Sequence, residues 1–272
     1  MTSPPSSQAE TYDSLEDLGL LYDHVGGYNE RGDIGFYVHE SALVDGPILE
    51  LASGTGRVLI PIARTGKRIV GVERSRQMLD RCREKVAAEL VAVRDRIALH
   101  EADMRDFAIG ERFAAAIIPF RPMQHLSSVD DQLSCLDAIR RHLVPGGRLI
   151  FDVYNPDFAR IASPGFEEFE DTPETPLPNG GSFRRTGRIV AVHRLAQVND
   201  LELIYYVTSP SGDTERRVHA FQMRWFLRAE LEHLVARAGF TIESMYGNFD
   251  RSPLVDASPE MIVVARGPRV SS

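Results

Sequence analysis

The amino-acid sequence predicts an α/β fold in which a mostly parallel sheet carries helices on both faces, followed by an antiparallel β insertion. Three observations lead there. Between Pro47 and Tyr154, five short apolar runs alternate with amphipathic stretches. Runs that are apolar throughout, rather than at every second residue, suit strands buried on both faces, as in a parallel sheet. The stretches between them carry helix start and stop signals. After Tyr154 the rhythm changes to strand-like segments separated by turn residues, the pattern of an antiparallel meander.

The apolar runs fall at 48–51, 68–73, 97–100, 114–119 and 148–154. A helix is predicted over 75–90, with Ser75 as its N-cap, and another over about 128–142, stopping at Pro145, Gly146 and Gly147. Residues 163–182 contain four prolines and read as a surface loop. Strand-like stretches follow at 187–198, 201–208 and 216–225, separated by Asn199 and Asp200 and then by 209–213. A helix over 228–238 ends at Gly239, and strands at 241–246 and 261–265 complete the pattern. Residues 1–16 are rich in Ser, Pro and acidic side chains and are expected to be disordered. Residues 17–45 are expected to form a helical N-terminal lid. Residues 46–160 and 226–267 then make the sheet domain, with the insertion at 183–225. No internal repeat is visible.

The chain has 272 residues and a formal net charge of -8. An acidic balance lacks the basic surface that phosphate neutralisation needs, which argues against a nucleic-acid partner, although Arg184, Arg185 and Arg188 cluster locally. Cys82 and Cys135 lie in predicted helices without metal-type spacing and read as buried reduced thiols, consistent with the cytoplasm. The polar N-terminus does not resemble a signal peptide, and no apolar run is long enough for a membrane span.

The segment from Glu50 through Ala52, Ser53, Gly54, Thr55 and Gly56 to Arg57 sits between the first strand and a helix. Glycines there permit backbone conformations closed to other residues and let a ligand approach the main chain. Glu73 ends the second strand, where a carboxylate can take both hydroxyls of a ribose. Asp103 and Met104 follow the third, where a carboxylate can accept from an adenine amino group. A nicotinamide site would want glycine at position 59, where close helix–strand packing needs it; Leu59 stands there.

The segments ELASGTGR, GVERS, EADMRDF and HLVPGGRLIFDV resemble successive motifs of the class I S-adenosylmethionine-dependent methyltransferases, over about residues 22–154. The resemblance implies a Rossmann-like, seven-stranded sheet whose last strand is antiparallel. LYDHVGGYNERGD and the antiparallel insertion resemble the small-molecule branch, which includes amino-sugar and glycine N-methyltransferases. By that resemblance Gly54 and Gly56 admit the methionine and ribose parts of S-adenosylmethionine, and Glu73 binds the ribose. Asp103 and the Met104 backbone bind adenine. Pro119 and Phe120 line the methionine side, and Tyr22 and Tyr28 fold over from the lid. Glu50, Ala52, Ser53, Arg74 and Met78 complete the expected cofactor site, and Gln124 orients cofactor or substrate. The family's commonest motif has Cys or Gly where Ser53 stands.

Methyl transfer is an in-line displacement in which positioning and desolvation supply most of the catalysis. His125, just past the fourth strand, is the candidate general base; its alternative is a loop-shaping histidine. Asp152 and Asn155 lack the spacing of metal-dependent catechol O-methyltransferases, so no metal is expected. The Asn/Asp-Pro-Pro-aromatic signature of nucleic-acid amino methyltransferases is absent, with Ile118, Pro119, Phe120 and Arg121 in its place. Arg216, Arg217, His219, Arg224 and Trp225 read as a sheet's solvent face alternating with its core face, and the alternative is a surface for an acidic substrate. The expected partner is a small-molecule acceptor offering N, O or C, with S-adenosylhomocysteine as product, no membrane, and a monomer or homodimer. A cofactor-binding regulatory subunit and a macromolecule methyltransferase are the competing readings.

Overall fold

The apolar runs pair with one another as expected. In the computed structural model, which describes residues 17–28, 30–162 and 165–269, β1 (Ile48–Leu51), β2 (Ile69–Glu73), β3 (Ile97–Glu101), β4 (Phe113–Ile118) and β5 (Leu143–Tyr154) form parallel pairs. β10 (Thr241–Tyr246) and β11 (Glu260–Arg266) extend the sheet past β5. The order is β10-β11-β5-β4-β1-β2-β3, with β11 antiparallel to both neighbours. This is the seven-stranded, mostly parallel sheet that the resemblance implied. The disorder expected of 1–16 lies outside the described residues.

Every residue of β1, β2 and β4 is buried, which explains why those runs are apolar throughout. Alternate side chains feed opposite cores. Leu49 and Leu51 pack on the face holding Leu136 and Ile139 of α6 (Val129–His142) and Leu231 and Val235 of α8 (Arg228–Arg237). Ile48 and Ile117 meet Phe36 and Tyr37 of α2 (Asp33–Ala42) and Leu59 and Ile62 of α3 (Leu59–Arg64). α4 (Arg76–Ala87) begins where the Ser75 side chain accepts from the Met78 amide, and α6 where Ser128 accepts from Asp131. Short helices α5 (Val91–Arg94) and α7 (Phe158–Ala162) fill connections. Cys82 and Cys135 are free and buried; burial pushes the Cys82 thiol up to about 12.

The second sheet has four antiparallel strands in chain order: β6 (Phe169–Pro176), β7 (Ser182–His193), β8 (Val198–Thr208) and β9 (Thr214–Arg224). It departs from expectation twice. The predicted loop 163–182 contains β6, an edge strand whose pairing with β7 shifts register twice. Prolines lack the N–H that a central strand needs, and an edge strand tolerates them because one of its sides is unpaired. The turn expected at Asn199 and Asp200 lies instead at 194–197, where Gln197 has φ 57°. Asp200 is held in the sheet by its neighbours: its carboxylate accepts from Gln222 at 2.9 Å and lies 2.8 Å from His193 Nε2.

The N-terminal segment is helical, with α1 (Leu18–Asp23), a 3-10 turn at Gly26–Tyr28, and α2. Leu18, Leu21 and Val25 pack on Leu177, Phe183 and Tyr205, so this segment covers apolar side chains of the second sheet. Asp23 fastens it to the main domain, accepting from Thr55 at 2.6 Å, Arg81 at 2.8 Å and Lys85 at 2.9 Å. Among the described residues no helix is long and apolar enough to cross a membrane.

Candidate active site

Each of β1 to β4 delivers one part of the site at its carboxyl end. The turn after β1 places Ala52 and Gly54 in left-handed backbone, φ 51° and 54°. That conformation aims the Gly54 N–H at Glu73 Oε2, which accepts it at 2.9 Å, while Oε1 accepts from Ser75 at 2.7 Å. Glu73 thus joins the end of β2 to the glycine turn and to the start of α4. A cavity of about 330 Å³ opens here, beside the point where the strand order reverses between β1 and β4. Ligands bind at such switch points because adjacent connections leave toward opposite faces and part the loops.

Thirteen of the sixteen site residues expected from sequence line this cavity. Glu50, Ala52, Ser53 and Gly54 form its floor after β1, and Glu73, Arg74 and Met78 follow β2 and enter α4. Asp103 and Met104 stand after β3, Pro119, Phe120 and His125 after β4, and Tyr22 comes from α1. Three are set back. The Tyr28 ring packs on Tyr22 and Phe120, and its hydroxyl accepts from Arg185 at 2.7 Å, so it supports the wall from behind. Gly56, at φ 81°, is needed for packing: a Cβ there would come 2.8 Å from Cys82 Sγ. Gln124 is fully buried, donating to the Arg224 carbonyl at 2.6 Å and accepting from the Tyr154 amide at 2.9 Å. It ties β9 to β5.

The acids differ in environment. Burial raises the Glu73 carboxyl, opposed by the Ser75 and Gly54 amides. Burial likewise pushes Glu50 well above the usual carboxylate range, against the pull of Arg57, and Oε2 has no hydrogen-bond partner among the described residues. Asp103 is partly desolvated, but Arg105 and Arg74 hold its carboxyl below the ordinary value. Arg105 accounts for most of this, donating to Asp103 at 2.8 Å and to Asp131 at 2.9 Å. Burial, aided by the charge of Arg74, pushes the half-buried His125 imidazole down to about 4.

Residues 48–147 match a family described as "Methyltransferase domain". The chain is 25% identical over 239 residues to the dTDP-3-amino-3,6-dideoxy-alpha-D-glucopyranose N,N-dimethyltransferase of Streptomyces fradiae, covering 88% of this chain and 86% of that one. The CcbJ methyltransferase from Streptomyces caelestis superposes with a TM-score of 0.69 at 26% identity, over 88% and 90% of the two chains. SAM-bound CalS10, an amino pentose methyltransferase from Micromonospora echinaspora, shares the fold with a TM-score of 0.63 at 20% identity, over 90% and 94%.

The cavity also includes residues that sequence reasoning missed. His219, Phe221 and Gln222 reach it from β9, so the second sheet supplies one wall. Of the residues read as solvent face alternating with core face, Arg216 is exposed and His219 buried, but the inward face of β9 lines the cavity instead of a closed core. The alternation His219–Phe221 was the available signal. Phe221 stacks on His219, with ring centroids 5.2 Å apart, and lies 5.3 Å from His125. Burial, with His125 and Arg185 nearby, pushes His219 to about 4. Arg57 lines the cavity and pairs with buried Asp33 at 2.8 Å, joining α2 to the glycine turn.

Proposed function

We propose that the cavity binds S-adenosylmethionine and that the protein transfers its methyl group to a small-molecule acceptor, releasing S-adenosylhomocysteine. The observation that carries this reading is the Glu73 carboxylate. Its oxygens are fixed by the Gly54 and Ser75 amides, and each retains acceptor capacity toward the cavity, the arrangement a vicinal diol needs. The rest of the lining fits the same ligand. Glu50 Oε2 is a buried acceptor without a partner among the described residues, suited to the ammonium group at the methionine end. Asp103 is an ionised acceptor at the adenine end, backed by Met104.

S-adenosylmethionine supplies an electrophilic methyl on a sulfonium sulfur. The chain's own task is placement and exclusion of water. Tyr22 of α1 and Phe120 after β4 wall the cavity together, and Phe221 walls it from β9. His125 is neutral at pH 7 and offers an acceptor to a nucleophile's N–H or O–H. A base with a pKa near 4 draws the proton only weakly, so an ammonium acceptor must give up its proton to solvent before transfer. An amine is the first acceptor class to test, because the Streptomyces fradiae relative is named for N,N-dimethylation of an amino sugar.

Calorimetry with S-adenosylhomocysteine, followed by mass spectrometry of amine, alcohol and phenol panels incubated with S-adenosylmethionine, tests the reading. Binding without divalent metal and a 14-mass-unit gain on an amine are expected, 14 being roughly the mass of the added CH₂. Absence of binding would overturn the proposal. Binding with no product on any acceptor would favour a regulatory subunit, and product only on peptide or RNA a macromolecule methyltransferase.

A further inference from the structure

β4 is followed by two successive non-glycine residues in left-handed backbone, Phe120 at φ 72° and Arg121 at φ 70°. A bulky aromatic residue is an outlier there. Arg121 also precedes Pro122, whose ring drives the preceding residue toward extended backbone. Such conformations persist only where the surroundings impose them, and they cluster at functional sites.

The surroundings that impose this one are visible. The Phe120 N–H donates to Asp152 Oδ1 at 2.8 Å. Asp152 is fully buried near the end of β5; Oδ1 also accepts from the Tyr37 hydroxyl at 2.6 Å, and Oδ2 from Arg31 at 3.3 Å. Arg31 continues to Glu260 at 2.9 Å, and Glu260 in turn holds the Arg121 guanidinium. The Phe120 ring is gripped as well: the Arg31 and Arg57 guanidiniums lie 4.6 and 4.7 Å from its centroid. The turn has two consequences for the cavity. It leaves Phe120 on the wall, and it reverses the chain into the 3-10 turn Pro122–His125, which delivers His125.

We propose that Asp152 is a positioning residue for methyl transfer, holding the Phe120–Arg121 turn in its left-handed form and so setting the wall against which cofactor and acceptor are placed. This rests on the cavity being the S-adenosylmethionine site. Asp152 is not part of the cavity lining and acts through the Phe120 backbone.

Two substitutions at Arg121 isolate the conformation. Arg121→Gly and Arg121→Val both remove the guanidinium, but only glycine adopts positive φ freely. In calorimetry with S-adenosylhomocysteine, Arg121→Gly should stay within about threefold of wild-type affinity and Arg121→Val should weaken it about tenfold or more. Asp152→Ala, which removes the acceptor that Asn would keep for the Phe120 N–H, should weaken it about tenfold, and adding Arg121→Gly should recover most of that loss, a non-additive pair. A role confined to folding would lower the melting temperature and leave the two changes additive. Equal affinities for the two Arg121 variants overturn the proposal, as does wild-type affinity in Asp152→Ala; if Asp152→Ala does not fold, the Arg121 pair decides alone. Failure of the wild type to bind S-adenosylhomocysteine overturns the cofactor reading itself and is recognised as such before any variant is measured.

Discussion

Replacing Glu73 by Gln keeps the side chain's shape while removing its charge and one acceptor oxygen. Oε2 takes the Gly54 N–H at 2.9 Å and Oε1 the Ser75 N–H at 2.7 Å, and the residue is 9% exposed. A glutamine amide nitrogen must therefore face one of these N–H groups, donor against donor. A buried N–H left unpaired costs about 1–3 kcal/mol, so the variant should lose stability of that order. The ligand loses one charge-assisted acceptor for its ribose diol, about 1.5–3 kcal/mol. That is roughly a 10- to 150-fold rise in Kd for S-adenosylhomocysteine. Titration calorimetry gives the affinity and scanning calorimetry the stability. Because burial raises the Glu73 carboxyl, wild-type affinity should fall with acidification at a higher pH than free glutamate would dictate, whereas the glutamine variant lacks that limb. A variant within about twofold of wild-type affinity, under half a kcal/mol, would refute the assignment of Glu73 to the diol.

Other expectations follow from the packing and the histidines. Gly56→Ala should destabilise the protein by about 1–3 kcal/mol, since its Cβ would lie 2.8 Å from Cys82 Sγ; adding Cys82→Ala should return part of the melting temperature, and no recovery would point to the positive φ alone. Phe221→Leu should change the ranking of acceptors in competition assays while S-adenosylhomocysteine affinity holds, and an unchanged ranking would remove β9 from acceptor selection. Folding favours neutral His125 and His219, both about 4 against an ordinary 6.5. Their contribution to stability is therefore complete above about pH 6.5 and drains away as pH falls toward 4, so His219→Gln should flatten the acid side of a melting-temperature profile; an identical slope counts against it. His125→Ala should slow turnover roughly a hundredfold, at the low end for proton-transfer help. A loss below about tenfold leaves it as wall only.

Local signals were readable where one short segment holds all the physics. Ser75 and Ser128 cap the helices they were expected to start, because a cap needs only an amide two or three residues on. β10 spans 241–246 as expected. The prolines at 173 and 176 hid β6, since whether a proline is tolerated depends on which side of the strand is unpaired, a property of the sheet. Asn199 and Asp200 have turn composition, yet the strand partners His193 and Gln222 hold Asp200 in β8.

By itself the sequence determined the parallel sheet, its helices on both faces, and the order in which the glycine turn, Glu73 and Asp103 meet one cavity. Each of these depends on burial periodicity or on a residue's place at a strand end, and parallel connectivity brings the strand ends together automatically. Tertiary structure alone decided the rest. It withdrew Tyr28, Gly56 and Gln124 from the cavity surface and brought in His219, Phe221 and Gln222, about a hundred residues beyond His125 in the chain. It also made Asp152 the anchor of a turn thirty-two residues earlier in the chain. These contacts join segments that no local pattern relates, because they depend on how the second sheet and the N-terminal helices close over the first.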